Sequence, residues 1–177
     1  DGDLFDEQWQ AEMDKAMAFL SDSQAIVIDL RSAGMSSLLL SQHFLSHFMP
    51  VGQPLSMMTL AHRQRTPLLA QHVASPIRSD KPLFIVTSPF IAGSWEFVAF
   101  TLQQADRATV VGMPTIGLGY MTTVEKLSEH LSLVMAYAEL QHPQTGDSWK
   151  NNGVIPDVQT DADQAMSVAL KLATEAL

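Results

Sequence analysis

Ser, His and Asp all occur in this chain, the side-chain types of a nucleophile, a base and an orienting acid, and Cys does not. Without Cys, a thiolate nucleophile, disulfides and thiolate metal sites are excluded together. His43 and His47 stand four residues apart, a spacing that lets two imidazoles on one helix face share a metal ion. No Glu follows the first His and no third ligand completes the pattern, so an ordinary polar helix face is expected and no metal site. His62, beside Arg63 and Arg65, could receive an acidic group, but a solvated charged loop accounts for all three. His130 and His142 fall near strand ends, and His142-Pro143-Gln144-Thr145-Gly146-Asp147 is turn chemistry. The run from Gly112 to Gly119 is glycine-rich yet lacks the Lys and Ser/Thr pair of a phosphate cradle. It reads as a strand-to-strand loop.

The elements that must position these groups follow from periodicity. Phe5, Trp9, Met13, Ala16, Met17 and Leu20 recur every three or four residues, which predicts an amphipathic helix over 5–20. Ala25 to Leu30 is a short β-branched run, expected to be a strand buried on both faces of a parallel sheet. Asp29 and Arg31 after it are expected to pair with each other or to cap the next helix. That helix carries Leu38 to Leu40, Phe44, Leu45 and Phe48 and ends by Pro50. Residues 55–60 read as a strand, and 61–80, with Pro67 and Pro76, as loop with a turn of helix. Leu83–Thr87 is a second buried strand, Gly93–Ala105 an internal helix, and Thr109–Gly112 a third strand. Strands near 120–127 and 131–138 fit a hairpin, and 161–177 a final helix with Asp at its start, as the helix dipole favours. Met57, Met58, Met113, Met121 and Met135 lie on or beside strands, where core filling is expected. Strand–helix–strand alternation makes this an α/β domain.

Composition agrees with that class. The chain has 177 residues, enough for about one domain, and 46% are hydrophobic. Only 16% are charged, with a net charge of −9, against roughly 25% charged in an average globular chain. Disorder is disfavoured, and so is nucleic-acid binding, which needs clustered Lys and Arg. No run approaches the ~18 apolar residues of a membrane span. The chain opens on Asp1 with no basic-then-apolar leader and passes at once into a helical pattern. One core domain over 1–177, cut from a longer precursor with its upstream domain removed, is therefore expected.

Three segments together carry a resemblance. The first is Ala25-Ile26-Val27-Ile28-Asp29-Leu30-Arg31, a strand leading into a small-residue loop. The second is Lys81 to Ser88, followed by Glu96-Phe97, then Arg107-Ala108-Thr109-Val110-Val111-Gly112 with Thr115 and Gly117. The third is His142-Pro143-Gln144-Thr145-Gly146, Trp149 and Gly153-Val154-Ile155-Pro156-Asp157. In order and spacing, over about 25–175, the chain resembles the tail-specific (C-terminal processing) serine peptidases. It is most similar to the branch containing the tricorn protease core and the interphotoreceptor retinoid-binding protein modules. The resemblance implies an α/β, crotonase-like (Clp-protease-like) core, a central sheet flanked by helices. It also implies peptide-bond hydrolysis, no cofactor, and a periplasmic or secreted setting. A shared fold does not by itself establish activity.

The residues that such chemistry needs are altered. A Ser hydroxyl must stand at a helix start beside a base, with backbone N–H groups facing the developing oxyanion. In the family's Ser-x-x-Glu pattern, Glu96 sets the register and the nucleophile position falls on Gly93. Ser94, one residue on, is turned by about 100° around the helix. It is the remaining catalytic candidate, and a hydroxyl bonding a backbone N–H near a helix N-terminus accounts for it equally. The family's Gly-Lys-Gly, which carries the Lys base, corresponds to Gly117-Leu118-Gly119. The glycine pair after Asp-Leu-Arg falls on Met35-Ser36, with Gly34 one position early. Lys150 replaces the acidic residue usual after the Trp. Gly93, Ser94, Gly34, Met35 and Thr115 are expected at the oxyanion hole and cleft, within stretches 33–36, 91–95 and 113–119. Two functions follow from the resemblance: a peptidase-family domain, inactive with Gly93, or a pseudo-peptidase holding a peptide or protein tail, or an apolar small molecule, in the former cleft. The sequence leaves self-association open.

Overall fold

The computed structural model describes residues 7–33, 36–60 and 63–177. Its elements run α1 (Glu7–Leu20), β1 (Ile26–Asp29), α2 (Leu38–Ser46), β2 (Pro54–Leu60), β3 (Arg65–Leu69), β4 (Leu83–Thr87), α3 (Ser94–Gln104), β5 (Thr109–Gly112), β6 (Tyr120–Lys126), β7 (Ser132–Gln141), β8 (Val158–Gln159) and α4 (Ala162–Glu175). Phe5 of the predicted first helix, and Gly34, Met35 and His62, lie outside the described residues.

Four strands form a parallel sheet in the order β1-β4-β5-β8. Side chains alternate across β4, as a strand's period of two requires. Leu83 and Ile85 enter the larger core with Phe97, Val98 and Leu102 of α3 and Phe44 and Leu45 of α2. Phe84 and Val86 face the opposite way, onto Ala165, Ala169 and Ala173 of α4. Those alanines recur every fourth residue, so one stripe of α4 lies on the sheet with no long side chain to hold it off. The central sheet is thus flanked by helices on both faces. β4 is the strand buried throughout. β1, expected to be so, is an edge strand whose burial fades from Ile26 to the exposed Asp29.

The predicted hairpin belongs to a second, antiparallel sheet in the order β3-β2-β7-β6. β3 corrects the reading of 61–80 as loop. Pro67 breaks a strand pattern in sequence, but on a sheet edge its missing N–H need leave no ladder bond unmade. β8 pairs at only two positions, Val158 with Val111 and Gln159 with Gly112, too short a run to show periodicity. Met121 is core, as expected, whereas Met135 is 41% exposed on β7 and fills no core. Asp29 and Arg31 pair through both carboxylate oxygens, at 2.9 and 2.7 Å. The Arg31 guanidinium holds the Asp29 carboxyl below the usual carboxylate range. The cap of α2 is Ser37, whose Oγ accepts the Leu40 N–H.

Candidate functional site

α3 begins directly below a wide cavity. Its N-cap is Gly93, with φ 60° and ψ −116°, a region that side chains rarely occupy. Crowding does not impose the glycine, because a Cβ there would meet nothing within 4 Å. The backbone therefore keeps a strained strand-to-helix turn whose outward position is bare.

What holds that turn is Glu96, fully buried in the first turn of α3. Its Oε2 accepts the Gly93 N–H at 2.9 Å and the Leu118 N–H at 2.9 Å. Its Oε1 accepts the Gly117 N–H at 2.6 Å and the Thr115 hydroxyl at 2.5 Å. Four donors thus converge on an acceptor-only group, and they come from the helix start and from the loop between β5 and β6. Thr115 Oγ1 in turn accepts the Val154 N–H at 2.8 Å, bringing in the segment after Trp149. That indole donates to the Leu118 carbonyl at 3.1 Å and packs on Phe97 and Phe100. At Gly153 the backbones approach so closely that a Cβ would lie 2.1 Å from the Thr115 carbonyl oxygen, and φ is +73°. Gly153→Ala is expected to destabilise the fold by about 3 kcal/mol, combining a left-handed φ with forced displacement of backbone. A denaturant midpoint unchanged from the parent would refute that close approach.

Ser94 is 8% exposed. Its hydroxyl donates to the Ser36 carbonyl at 2.8 Å, rather than bonding a backbone N–H as sequence reasoning expects. The Ser94 N–H is a first-turn amide, without an intrahelical carbonyl to bond. Among the predicted cleft residues, Gly93 and Ser94 line the cavity, as do Ser36, Ala92 and Leu118. Thr115 does not; it is buried behind the turn, on Glu96. Gly34 and Met35 lie outside the described residues.

The cavity has a volume of about 740 Å³. The start of α2, the Ala92–Ser94 turn and β6 surround it, with Met58 and Tyr137 also on its wall. Among the described residues every lining side chain is neutral, and burial pushes the Tyr137 phenol up, further from ionising. Tyr120 and Tyr137 had no signal in the sequence as cavity residues, since strand pairing brings them there. Leu39 and Met58, read as helix and core residues, join them only through the tertiary fold. Lys150 is close by but engaged. It stands 3.2 Å from Glu139 Oε1 and 4.7 Å above the Tyr120 ring. The Tyr120 side chain, then Glu139, holds its ammonium above the ordinary lysine range, which suits a cation and not a base.

The histidines are placed differently from the sequence reading. His142 accepts the Thr145 N–H within its turn, as expected. His43 and His47 do not form a polar solvated face. His47 is fully buried, and both Nε2 atoms meet the Asp14 carboxylate of α1. No periodicity in the sequence joins α1 to α2, so this third partner was not legible.

Comparison with known proteins bears on the turn and the cavity together. The model of peptidase family S41 matches residues 3–160. The chain is 33% identical over 79 residues to a carboxyl-terminal-processing protease of Synechocystis sp., covering 45% of this chain and 18% of that protein. In structure it is similar to a photosystem II D1 C-terminal processing protease, with TM-score 0.72 and 24% identity over 90% of this chain and 41% of that one. The tricorn protease is also similar, with TM-score 0.56 and 15% identity over 92% of this chain and 16% of that one. The chain spans about a fifth of the length of the curated relative and about two fifths of the processing-protease structure. With the family model matched over most of its length, the resemblance drawn from three short segments is sustained: the chain belongs to peptidase family S41.

Proposed function

We propose that this S41 domain holds the apolar end of a peptide or protein tail in the cavity beside Gly93 and does not hydrolyse it. The observation that carries the reading is the cavity wall, which among the described residues bears no histidine, lysine or carboxylate, and no hydroxyl at the bare N-cap position. Acyl transfer needs a nucleophile and a base within hydrogen-bond reach. Gly93 supplies no side chain, Leu118 cannot take a proton, and the Ser94 hydroxyl is spent on the Ser36 carbonyl.

Binding has better support. β6 is an edge strand, hydrogen-bonded to β7 alone. Tyr120 to Thr123 on it also line the cavity. An extended peptide can add to such an edge through its backbone while apolar side chains enter the pocket. The processing proteases to which the chain is similar are named for acting at carboxyl termini, which makes a chain end the natural occupant. The test is fluorescence anisotropy with labelled peptides ending in apolar or in acidic residues, with the same mixtures followed by mass spectrometry. Saturable binding of the apolar-ended peptides, with every peptide bond intact, is the expected outcome. Cleavage by the purified chain would overturn the reading, and so would equal binding of both sets. Displacement of the bound peptide by an apolar small molecule would place both ligand classes in the same cavity.

A further inference from the structure

We propose that Asp14, His43 and His47 form a binding site for one divalent transition-metal ion of the zinc class, fastening α1 to α2. The site is separate from the cavity and does not depend on the binding role proposed for it. The two Nε2 atoms lie 2.7 and 2.9 Å from the same oxygen, Asp14 Oδ1. The three ligand atoms all fall within 4.8 Å of one another.

Hydrogen bonding sets the chemistry. His47 Nδ1 is 2.9 Å from the Ser75 carbonyl oxygen, which can only accept, so Nδ1 carries the hydrogen. In a neutral imidazole Nε2 is then a lone pair, and it points at a carboxylate oxygen that has only lone pairs to offer. A positive centre has to lie between them. For His47 that centre is either an added proton or a metal ion. His43, whose Nδ1 has no such fixed partner among the described residues, can also donate from a neutral Nε2–H, but a metal ion satisfies both nitrogens and the oxygen without any added proton. An imidazole whose Nδ1–H is held by a backbone carbonyl while Nε2 faces the ion is the usual outer-shell arrangement of a metal-bound histidine.

The donor set selects the ion. Two imidazoles and one carboxylate suit zinc and its neighbours, while magnesium and calcium call for oxygen cages of six or more. Zinc–ligand distances of about 2.0–2.1 Å place tetrahedral donors about 3.3 Å apart. The two nitrogen–oxygen distances are about half an ångström short of that, and the nitrogens, within 4.8 Å of each other, are brought to it by rotation of the two rings. Asp14 is 39% exposed at its side chain and His47 fully buried, so a fourth position opens to water on the Asp14 side. α2 starts at the cavity wall with Leu38 and Leu39 and carries His43 near its other end. An ion there would tie the end of α2 remote from the cavity to α1.

The experiment is isothermal titration of the chelator-treated, tag-free protein with zinc chloride, repeated with cobalt(II) chloride for its tetrahedral absorption bands and with magnesium chloride. One ion per chain, a rise in melting temperature with zinc, and no response to magnesium are expected. His43→Gln and Asp14→Asn, both at partly exposed positions, should each weaken zinc binding at least about tenfold. Comparison of their circular dichroism with the parent separates ligand loss from unfolding. No saturable one-to-one binding by the parent would overturn the proposal. So would unchanged affinity in both folded variants, which would leave a proton-bridged His–carboxylate cluster.

Discussion

Glu96→Ala should cost the fold about 4 kcal/mol, enough to leave much of the protein unfolded if its total stability sits at the low end of the ordinary range of about 5–15 kcal/mol. The substitution strands three backbone N–H groups and the Thr115 hydroxyl, all converging on one buried carboxylate. Each unsatisfied buried donor costs about 1–3 kcal/mol, and relaxation or entering water recovers part of the sum. Glu96→Gln separates charge from shape. Its amide oxygen still accepts two of the bonds, but its NH2 faces two donors, so a loss of about 2 kcal/mol is expected. Urea unfolding followed by far-UV circular dichroism reads both variants. A loss below about 1 kcal/mol for Glu96→Ala would mean that water or neighbouring groups satisfy those donors, and that Glu96 is not what sets the turn.

The second large effect is a gain. On the binding role proposed for the cavity, the double substitution Gly93→Ser with Leu118→Lys should create peptidase activity that the parent lacks. The backbone at 93 already has its strained N-cap conformation, and a side chain there enters open space. Leu118 lines the same cavity with its amide fixed on Glu96, so a lysine stem at 118 would start from a held position. An ammonium placed against this apolar lining is desolvated, which lowers its pKa toward the range of a general base. The double variant is expected to cleave an apolar-ended peptide at least about 10²-fold faster than either single variant, the usual contribution of a positioned base. A serine-reactive phosphonate should label it at position 93. Labelling without turnover would show a competent hydroxyl but a misplaced base. No labelling in a folded double variant would sink the assignment of Gly93 to the nucleophile position.

Much of the framework was legible because it depends on local patterns. The β-branched run before Asp29, the buried run Leu83–Thr87, the three- and four-residue recurrence in α1 and the Asp at the start of α4 each announce their element without tertiary help. β3 was hidden by Pro67, whose cost vanishes only once the strand is known to be an edge. β8 was hidden by being two residues long. At the site, Glu96 and Thr115 stood out through the family resemblance, but their roles did not. Thr115 reads as a cleft residue in sequence and lies instead behind the turn, because its hydroxyl is drawn to the Glu96 carboxylate. Asp14 was invisible as a partner of His43 and His47, since the 29 residues separating it from His43 become a contact only when α1 docks on α2.

The hydrogen bonds that shape the turn run between Glu96 and main-chain or Thr115 atoms, and none uses a side chain at 93 or 118. The scaffold and the proposed chemistry therefore rest on different residues. A lineage can lose hydrolysis at these two positions without crossing a stability threshold, and it keeps a folded pocket in which binding alone can be refined. The same separation runs backward: side chains introduced at 93 and 118 remove none of the hydrogen bonds that hold the turn.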